Sequence, residues 1–68
     1  MELNVRLTAR EADVLRMLAR GRTYAKAAEE LGMSPHTVST HVKNAYRKLA
    51  VHNAAAAVLQ AVRLGLIL

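Results

Sequence analysis

Small hydroxyl and basic side chains are grouped in the middle of the chain. Ser39 and Thr40 are followed by Lys43 and Arg47 at intervals of three or four residues. On an α-helix these intervals place the side chains on one face. Short polar side chains can approach base edges of a duplex, and longer basic ones can reach its phosphates. The pattern predicts a helix that binds double-stranded DNA, with the small side chains of Ser39 and Thr40 near base edges and Lys43 and Arg47 on the same face.

Other residues of the same segment suit the DNA backbone. His36 and Thr37 would occupy the first helical turn, where backbone N–H groups and the helix dipole favour a phosphate. Arg47 would reach a phosphate farther along, and Asn44 could bond either an adenine edge or a phosphate. An ordinary solvated face would carry better helix formers than Ser39 and Asn44. The DNA interpretation is therefore favoured over a merely solubilising one.

Metal binding and catalysis are not expected. His36 and His41 are five residues apart, which separates them by about 140° around a helix. The chain has no cysteine, and all five acidic residues lie within the first 30 positions. No nucleophile, base and orienting group can be assembled, and Gly21 and Gly32 are too far apart for a phosphate-binding loop. We expect no metal, no cofactor and no enzymatic activity.

The element that presents these side chains should follow a short turn. Gly32 permits a positive φ, Ser34 is a good N-cap, and Pro35 fits the first position of a helix. A helix from Pro35 to about Leu49 is predicted, preceded by a second helix only about three residues away, which is the helix-turn-helix connection. Its predicted buried residues are Val38, Val42, Ala45 and Leu49, assisted by Tyr46.

Three more helices complete an all-α domain, since no segment alternates as a strand would. Thr8 and Glu11 form a capping-box pattern at the start of the first helix. Thr23 and Asn53 are the predicted caps of the second and fourth helices. The predicted boundaries are Thr8 to Gly21, Thr23 to Gly32 and Asn53 to Gly65 for the first, second and fourth helices.

The fourth helix is apolar nearly all round. Such a helix must bury a second side against another surface, although alanine is also a strong helix former that solvent tolerates. Leu59, Val62 and Leu66 favour self-association over that simpler explanation. The predicted dimer contacts are Ala55, Leu59, Val62, Arg63 and Leu66.

Length and charge limit the remaining possibilities. The 68 residues allow one small domain, predicted as 1–68 with a core of about 7–66, and the formal net charge is +5. A basic balance with all acids in the first 30 positions fits either a polyanionic partner or an ordinary cationic solvated face, and charge alone does not decide between them. No apolar run is long enough to span a membrane, and the first six residues lack the apolar stretch of a signal peptide, so a cytoplasmic protein is expected.

The sequence as a whole resembles the LuxR/GerE-type DNA-binding domain, and in length it is most similar to stand-alone GerE-type regulators. The residues that carry the resemblance are Leu7–Glu11, Val14, Leu15, Gly21, Ala28–Gly32, Ser34–Val38, His41, Asn44, Lys48 and Leu49. The resemblance implies a third helix in the major groove and a fourth helix at a twofold dimer contact. It also implies base contacts at Ser39, Thr40 and Lys43. The backbone contacts that it implies are Thr23, Tyr24, Lys26, Thr37, His41 and Asn44.

The predicted function is that of a bacterial transcriptional regulator that binds an inverted repeat as a homodimer. Family members often carry an upstream receiver or ligand-sensing domain, so a longer native chain is compatible with this prediction. The alternative is an interaction module that sequesters another regulator through its fourth helix. RNA binding is less favoured, because Tyr24 and Tyr46 are the only aromatic residues available for base stacking.

Overall fold

The computed structural model describes residues 4–68, so residues 1–3 of the predicted domain lie outside the described part. The described chain forms four α-helices and no strand. They are α1 (Ala9–Ala19), α2 (Tyr24–Leu31), α3 (Pro35–Leu49) and α4 (Ala54–Arg63). The all-α, four-helix prediction is confirmed.

Each helix begins after the predicted cap residue. The Thr8 hydroxyl accepts from the Glu11 backbone N–H at 3.1 Å, and the Glu11 carboxylate accepts from the Thr8 N–H at 2.9 Å, which completes the capping box. The side chains of Thr23, Ser34 and Asn53 each accept from the backbone N–H three residues later. These caps satisfy helix N–H groups that have no partner inside the helix, and so fix where each helix begins.

Two of the helices are followed by glycines, as the sequence predicts, but the residue that follows the third helix is an alanine. Gly21 and Gly32 have φ of 79° and 68°, as expected for glycines that terminate helices. The third helix ends at Leu49, and the residue that caps it, Ala50, has a φ of 56°, which lies in the same left-handed region. A side chain makes that conformation cost about 1 kcal/mol. Backbone hydrogen bonds from Ala50 to Arg47 and from Val51 to Tyr46 close the turn, and Val51 packs against the core.

The core consists of two apolar clusters that share α1 and α3. One joins α1, α3 and α4 around Leu15, Leu49 and Ala57, and the other joins α1, α2 and α3 around Val14 and Val38. All four residues predicted as the buried side of α3 are buried. Burial of this side fixes the rotation of α3 about its axis, and therefore fixes which side chains face outward.

An ion pair joins the start of α1 to the end of α3. Lys48 Nζ lies 2.7 Å from Glu11 Oε1, and the Glu11 side chain is only 4% exposed. Burial by itself would raise the pKa of Glu11. The hydrogen bonds from Lys48 and the Thr8 N–H, together with the Lys48 charge, outweigh burial and lower that pKa. Lys48 is therefore a structural cation that anchors α3 to α1.

Candidate nucleic-acid interface

The outward side of α3 carries a stripe of four exposed polar and basic residues. They are His36, Thr40, Lys43 and Arg47. Their spacing of four, three and four residues keeps them within about 60° of one another around the helix. The same rotation of about 100° per residue places them opposite the buried side. The sequence prediction that this face points away from the protein is correct for Thr40, Lys43 and Arg47.

The other predicted contact residues of α3 border the stripe. Ser39 lies on one edge, and Thr37, His41 and Asn44 lie on the other, all of them half-buried. None of the three predicted base-contact residues is in the protein interior. Ser39 is nevertheless less accessible than Thr40 and Lys43, because it lies closer to the buried side of the helix.

Two hydroxyls of α3 already have partners within the protein. The Thr40 hydroxyl donates to the His36 carbonyl oxygen at 3.1 Å, so its methyl group and the acceptor side of its oxygen are left for another molecule. The Thr37 hydroxyl lies 2.9 Å from the Ser34 hydroxyl, and the Thr37 N–H donates to Ser34. The Thr37 N–H is thus used by the cap. Pro35 has no N–H, and the Val38 N–H donates to the Ser34 carbonyl. The His36 N–H is therefore the one left in the first turn for an anion.

The predicted contacts on α2 lie at its start. Thr23, Tyr24 and Lys26 are all exposed, but the Thr23 hydroxyl accepts from the Lys26 N–H as a cap. Lys26 Nζ lies 3.6 Å from a Glu29 carboxylate oxygen, an exposed pair that water and salt weaken. The structure therefore keeps these side chains accessible.

Tyr24, at the start of α2, lies close enough to Tyr46 of α3 to affect its titration. Burial raises the pKa of Tyr46, and the neighbouring Tyr24 hydroxyl raises it further. Tyr46 also packs against both apolar clusters.

The basic residues of α3 differ in whether they form ion pairs within the protein. Within residues 4–68, Lys43 and Arg47 form no ion pair, whereas Lys48 is paired with Glu11. Net charge alone does not make this distinction. Lys43 and Arg47 are thus the α3 cations that remain for an anionic partner.

An open groove lies beside this face, where α3 ends. It has a volume of about 520 Å³ and is lined by Lys43, Tyr46, Arg47, Ala50, Val51 and His52. Sequence reasoning missed His52 as a site residue. The groove depends on the left-handed turn at Ala50, and an alanine gives no sequence signal for such a turn.

Clusters of metal-ligating side chains and membrane-spanning helices are both absent from the described residues. Within residues 4–68, no three His, Asp or Glu side chains lie close enough to hold a metal ion. In the same part of the chain, no helix is long and apolar enough to cross a membrane.

The outer side of α4 is apolar. Leu59 is 54% exposed and Val62 is 40% exposed, and Ala55 lies on the same side of the helix. Arg63 is exposed beside them, and Leu66, which follows the helix, is half-buried. The opposite side of α4 packs on the core through Ala57 and Ala61. The residues predicted as dimer contacts thus form an exposed surface, apart from the partly covered Leu66.

Two helices separated by residues 32–34, with the second presenting a polar and basic face, define a helix-turn-helix domain. The model of the family described as bacterial regulatory proteins, luxR family, matches residues 5–61. The chain belongs to this family of DNA-binding transcription regulators, and the family resemblance read from the sequence is confirmed.

Individual relatives agree with this assignment. The chain is 39% identical over 59 residues to the spore germination protein GerE of Bacillus subtilis, covering 87% of this chain and 80% of GerE. It is 41% identical over 66 residues to the transcriptional activator protein AnoR of Acinetobacter nosocomialis, covering 97% of this chain but 28% of AnoR. The chain likewise spans about a quarter of the length of the mycobacterial NarL relative.

Solved structures show the same fold. The structure of the transcription factor GerE superposes with a TM-score of 0.86 at 31% identity, covering 100% of this chain and 97% of GerE. The response regulator ChrA of a heme-sensing two-component system gives a TM-score of 0.87 at 39% identity, covering 91% of this chain and 31% of ChrA. The same four-helix fold therefore occurs both as most of a small protein and as part of a larger one.

Proposed function

We propose that this domain regulates transcription by inserting α3 into the major groove of double-stranded DNA. The observation that carries the proposal is the stripe of exposed polar and basic residues opposite the buried side of α3. An α-helix fits the major groove, where each base pair presents a distinct set of donors and acceptors. Lys43 donates to guanine acceptors, Thr40 offers its methyl group, and Ser39 reaches the bases from the edge of the stripe.

Backbone contacts come from two places in this arrangement. The start of α2 approaches one stretch of the sugar-phosphate backbone. The two ends of the exposed side of α3 approach other stretches of the backbone. The side chains proposed for these contacts are Thr23, Tyr24, Lys26, His36, Thr37, His41, Asn44 and Arg47. Lys26 and Arg47 supply the cations of this set, while the others hydrogen-bond; Lys43 adds its charge at the bases. About four to six neutralised phosphates give a slope of log affinity against log salt near −4 to −5.

We further propose that two copies bind an inverted repeat through the apolar side of α4. The exposure of Leu59 and Val62 supports this contact, because burying them against a twofold partner removes apolar surface from water. Half-sites would then be separated by about one helical turn, roughly 10 bp. The regulator would act in the cytoplasm, where bacterial DNA lies.

The longer relatives suggest how such a domain is controlled. Because the chain matches 31% of ChrA and 28% of AnoR, the family also uses this fold as one part of larger regulators. We propose that residues 1–68 act as one DNA-binding unit, which an upstream receiver or ligand-sensing domain controls where one is present.

Selection of duplexes from a random pool by the purified chain tests the function. The expected result is an enriched inverted repeat, bound with a salt slope near −4 to −5. The second candidate is a module that sequesters another regulator through α4, and the exposed Leu59 and Val62 suit it equally well. Failure to enrich any duplex, with no saturable binding at low salt, would favour that candidate.

A further inference from the structure

The groove at the end of α3 is shaped by a reversal of the chain. At Ala50 the backbone adopts a φ of 56°, and the Val51 N–H donates back to the Tyr46 carbonyl at 3.0 Å. This turn brings Val51 and His52 alongside Tyr46 and Arg47, so that residues from two segments line one open depression. The shape of this open surface depression is therefore set by the backbone turn as well as by the side chains that line it.

The groove combines N–H donors with an apolar floor. Lys43, Arg47 and His52 supply the donors, and none of the lining residues is acidic. Within residues 4–68, none of these three donors forms an ion pair. Tyr46 and Val51 pack against the core and supply the apolar part. A deoxyribose with its phosphate has the matching chemistry, because the sugar has apolar C–H groups and the phosphate is an acceptor of charge-assisted hydrogen bonds.

The groove also continues the surface that faces the bases. Lys43 belongs both to the exposed stripe and to the groove lining. At a rise of about 1.5 Å per residue, Arg47 lies about 12 Å along the axis from Ser39. A side chain this far from Ser39 lies beyond the base edges that Ser39 can approach, and the flanking sugar-phosphate backbone is the part of the duplex nearest to it.

We propose that this groove is a DNA-backbone subsite, in which Arg47 and His52 bind one phosphate and Tyr46 and Val51 contact its deoxyribose. The proposal rests on the duplex binding proposed above and adds a contact from the α3–α4 turn. Continuity with Lys43 favours DNA as the occupant over an acidic segment of a partner protein. The subsite would add affinity and fix the register of α3, with no base preference of its own.

Single-phosphate replacement in a selected duplex tests the subsite. Each phosphate in turn is replaced by an uncharged methylphosphonate, and affinity is measured for the wild type, Arg47→Ala and His52→Ala. We expect one phosphate per half-site at which replacement weakens the wild type but has little further effect on either variant. Each variant should lose about threefold to tenfold in affinity for all duplexes alike. Arg47→Ala should also make the salt slope shallower by about 0.9 for each bound copy, or about 1.8 for two copies on an inverted repeat.

Arg16→Ala is the matched control, because it removes one exposed positive charge from α1 and lies outside the groove lining. Thermal unfolding of all variants shows whether each remains folded. If Arg47→Ala and His52→Ala behave as Arg16→Ala does on a bound duplex, the subsite is wrong while duplex binding stands, and the groove is left to a protein partner. A loss confined to one base pair would also overturn it. If the wild type binds no duplex, the proposed function fails and the subsite with it.

Discussion

At the scale of single residues, the side chains of α3 differ in which hydrogen-bonding groups and charges are already used within the protein. The Thr40 hydroxyl donates to its own helix, while Lys43 is exposed and outside every ion pair of residues 4–68. Composition alone gives both residues the same description, as polar groups on a helix face. The hydrogen bonds and ion pairs distinguish them, because Thr40 has already used its only side-chain donor, whereas Lys43 keeps all of its donors and its charge.

Thr40→Val should leave duplex affinity within about twofold of the wild type, because valine keeps the methyl group and the His36 carbonyl keeps its helical N–H partner. Thr40→Ser, which keeps the hydroxyl and loses the methyl group, should weaken binding. Fluorescence anisotropy on one selected duplex gives both values. Strong binding by the serine variant together with weak binding by the valine variant would show that the hydroxyl, and not the methyl group, meets the DNA.

Lys43→Ala should cost about 1–3 kcal/mol of binding free energy and relax the preference at one base pair. The reason is that an ammonium group on the exposed stripe can donate to guanine O6 and N7. Affinities for a panel of single-base variants of the selected duplex check this. An equal loss across the whole panel would instead assign Lys43 to a phosphate.

At the scale of elements, the helices were predictable because their boundaries are local. Thr8, Thr23, Ser34 and Asn53 cap the elements that their positions predict, since capping needs only a side chain and an N–H three residues later. The turn at Ala50 was not predictable, because alanine gives no preference for the left-handed region. The groove beside α3 depends on that turn, and so it was missed as well.

Ala50→Gly should raise the free energy of unfolding by about 1 kcal/mol, because glycine adopts a φ of 56° without the steric cost that alanine carries. Ala25→Gly, in the exposed part of α2, is the control and should lower the same quantity by about 1 kcal/mol. Urea denaturation followed by circular dichroism measures both. A destabilised Ala50→Gly variant would mean that the α3–α4 turn has a different conformation.

Leu59→Glu should abolish two-to-one protein–DNA complexes while the fold remains intact, because Leu59 is half-exposed and a carboxylate would be buried in the proposed α4 contact. Ala19→Glu makes the same charge change on the exposed end of α1 and should keep those complexes. Gel-shift stoichiometry on an inverted repeat compares the two variants. Unchanged complexes with Leu59→Glu would remove α4 as the dimer contact.

At the scale of the whole molecule, the link between Glu11 and Lys48 joins residues 37 positions apart in the chain. No local pattern reports such a contact, so the capping role of Glu11 was predictable and its ion pair was not. The candidate DNA-facing residues of α3 were predictable from helical spacing, but which cations are already paired depends on the packed structure. Lys48 illustrates this, since its charge stabilises the fold and does not lie on the exposed stripe.

The lowered pKa of Glu11 predicts acid-sensitive stability. A carboxyl group whose folded pKa is below its unfolded value stabilises the protein fully above the unfolded pKa, near 4.3 for glutamate, and that contribution is lost as the pH falls through the folded pKa. Glu11→Gln should lower the free energy of unfolding at pH 7 by about 2 kcal/mol, because Lys48 loses its partner. Near pH 3 the difference should shrink. Chemical denaturation at both values measures it, and a constant difference would contradict the pKa assignment.

The position of α3 between two apolar clusters has a consequence for the energetics of recognition. Its buried side packs against α1 and α2 at one end and against α1 and α4 at the other, so it cannot detach without disrupting both clusters. A helix held in this way keeps its orientation in the free protein. The domain therefore approaches its partner with the contact helix already ordered, and little conformational entropy is lost on association.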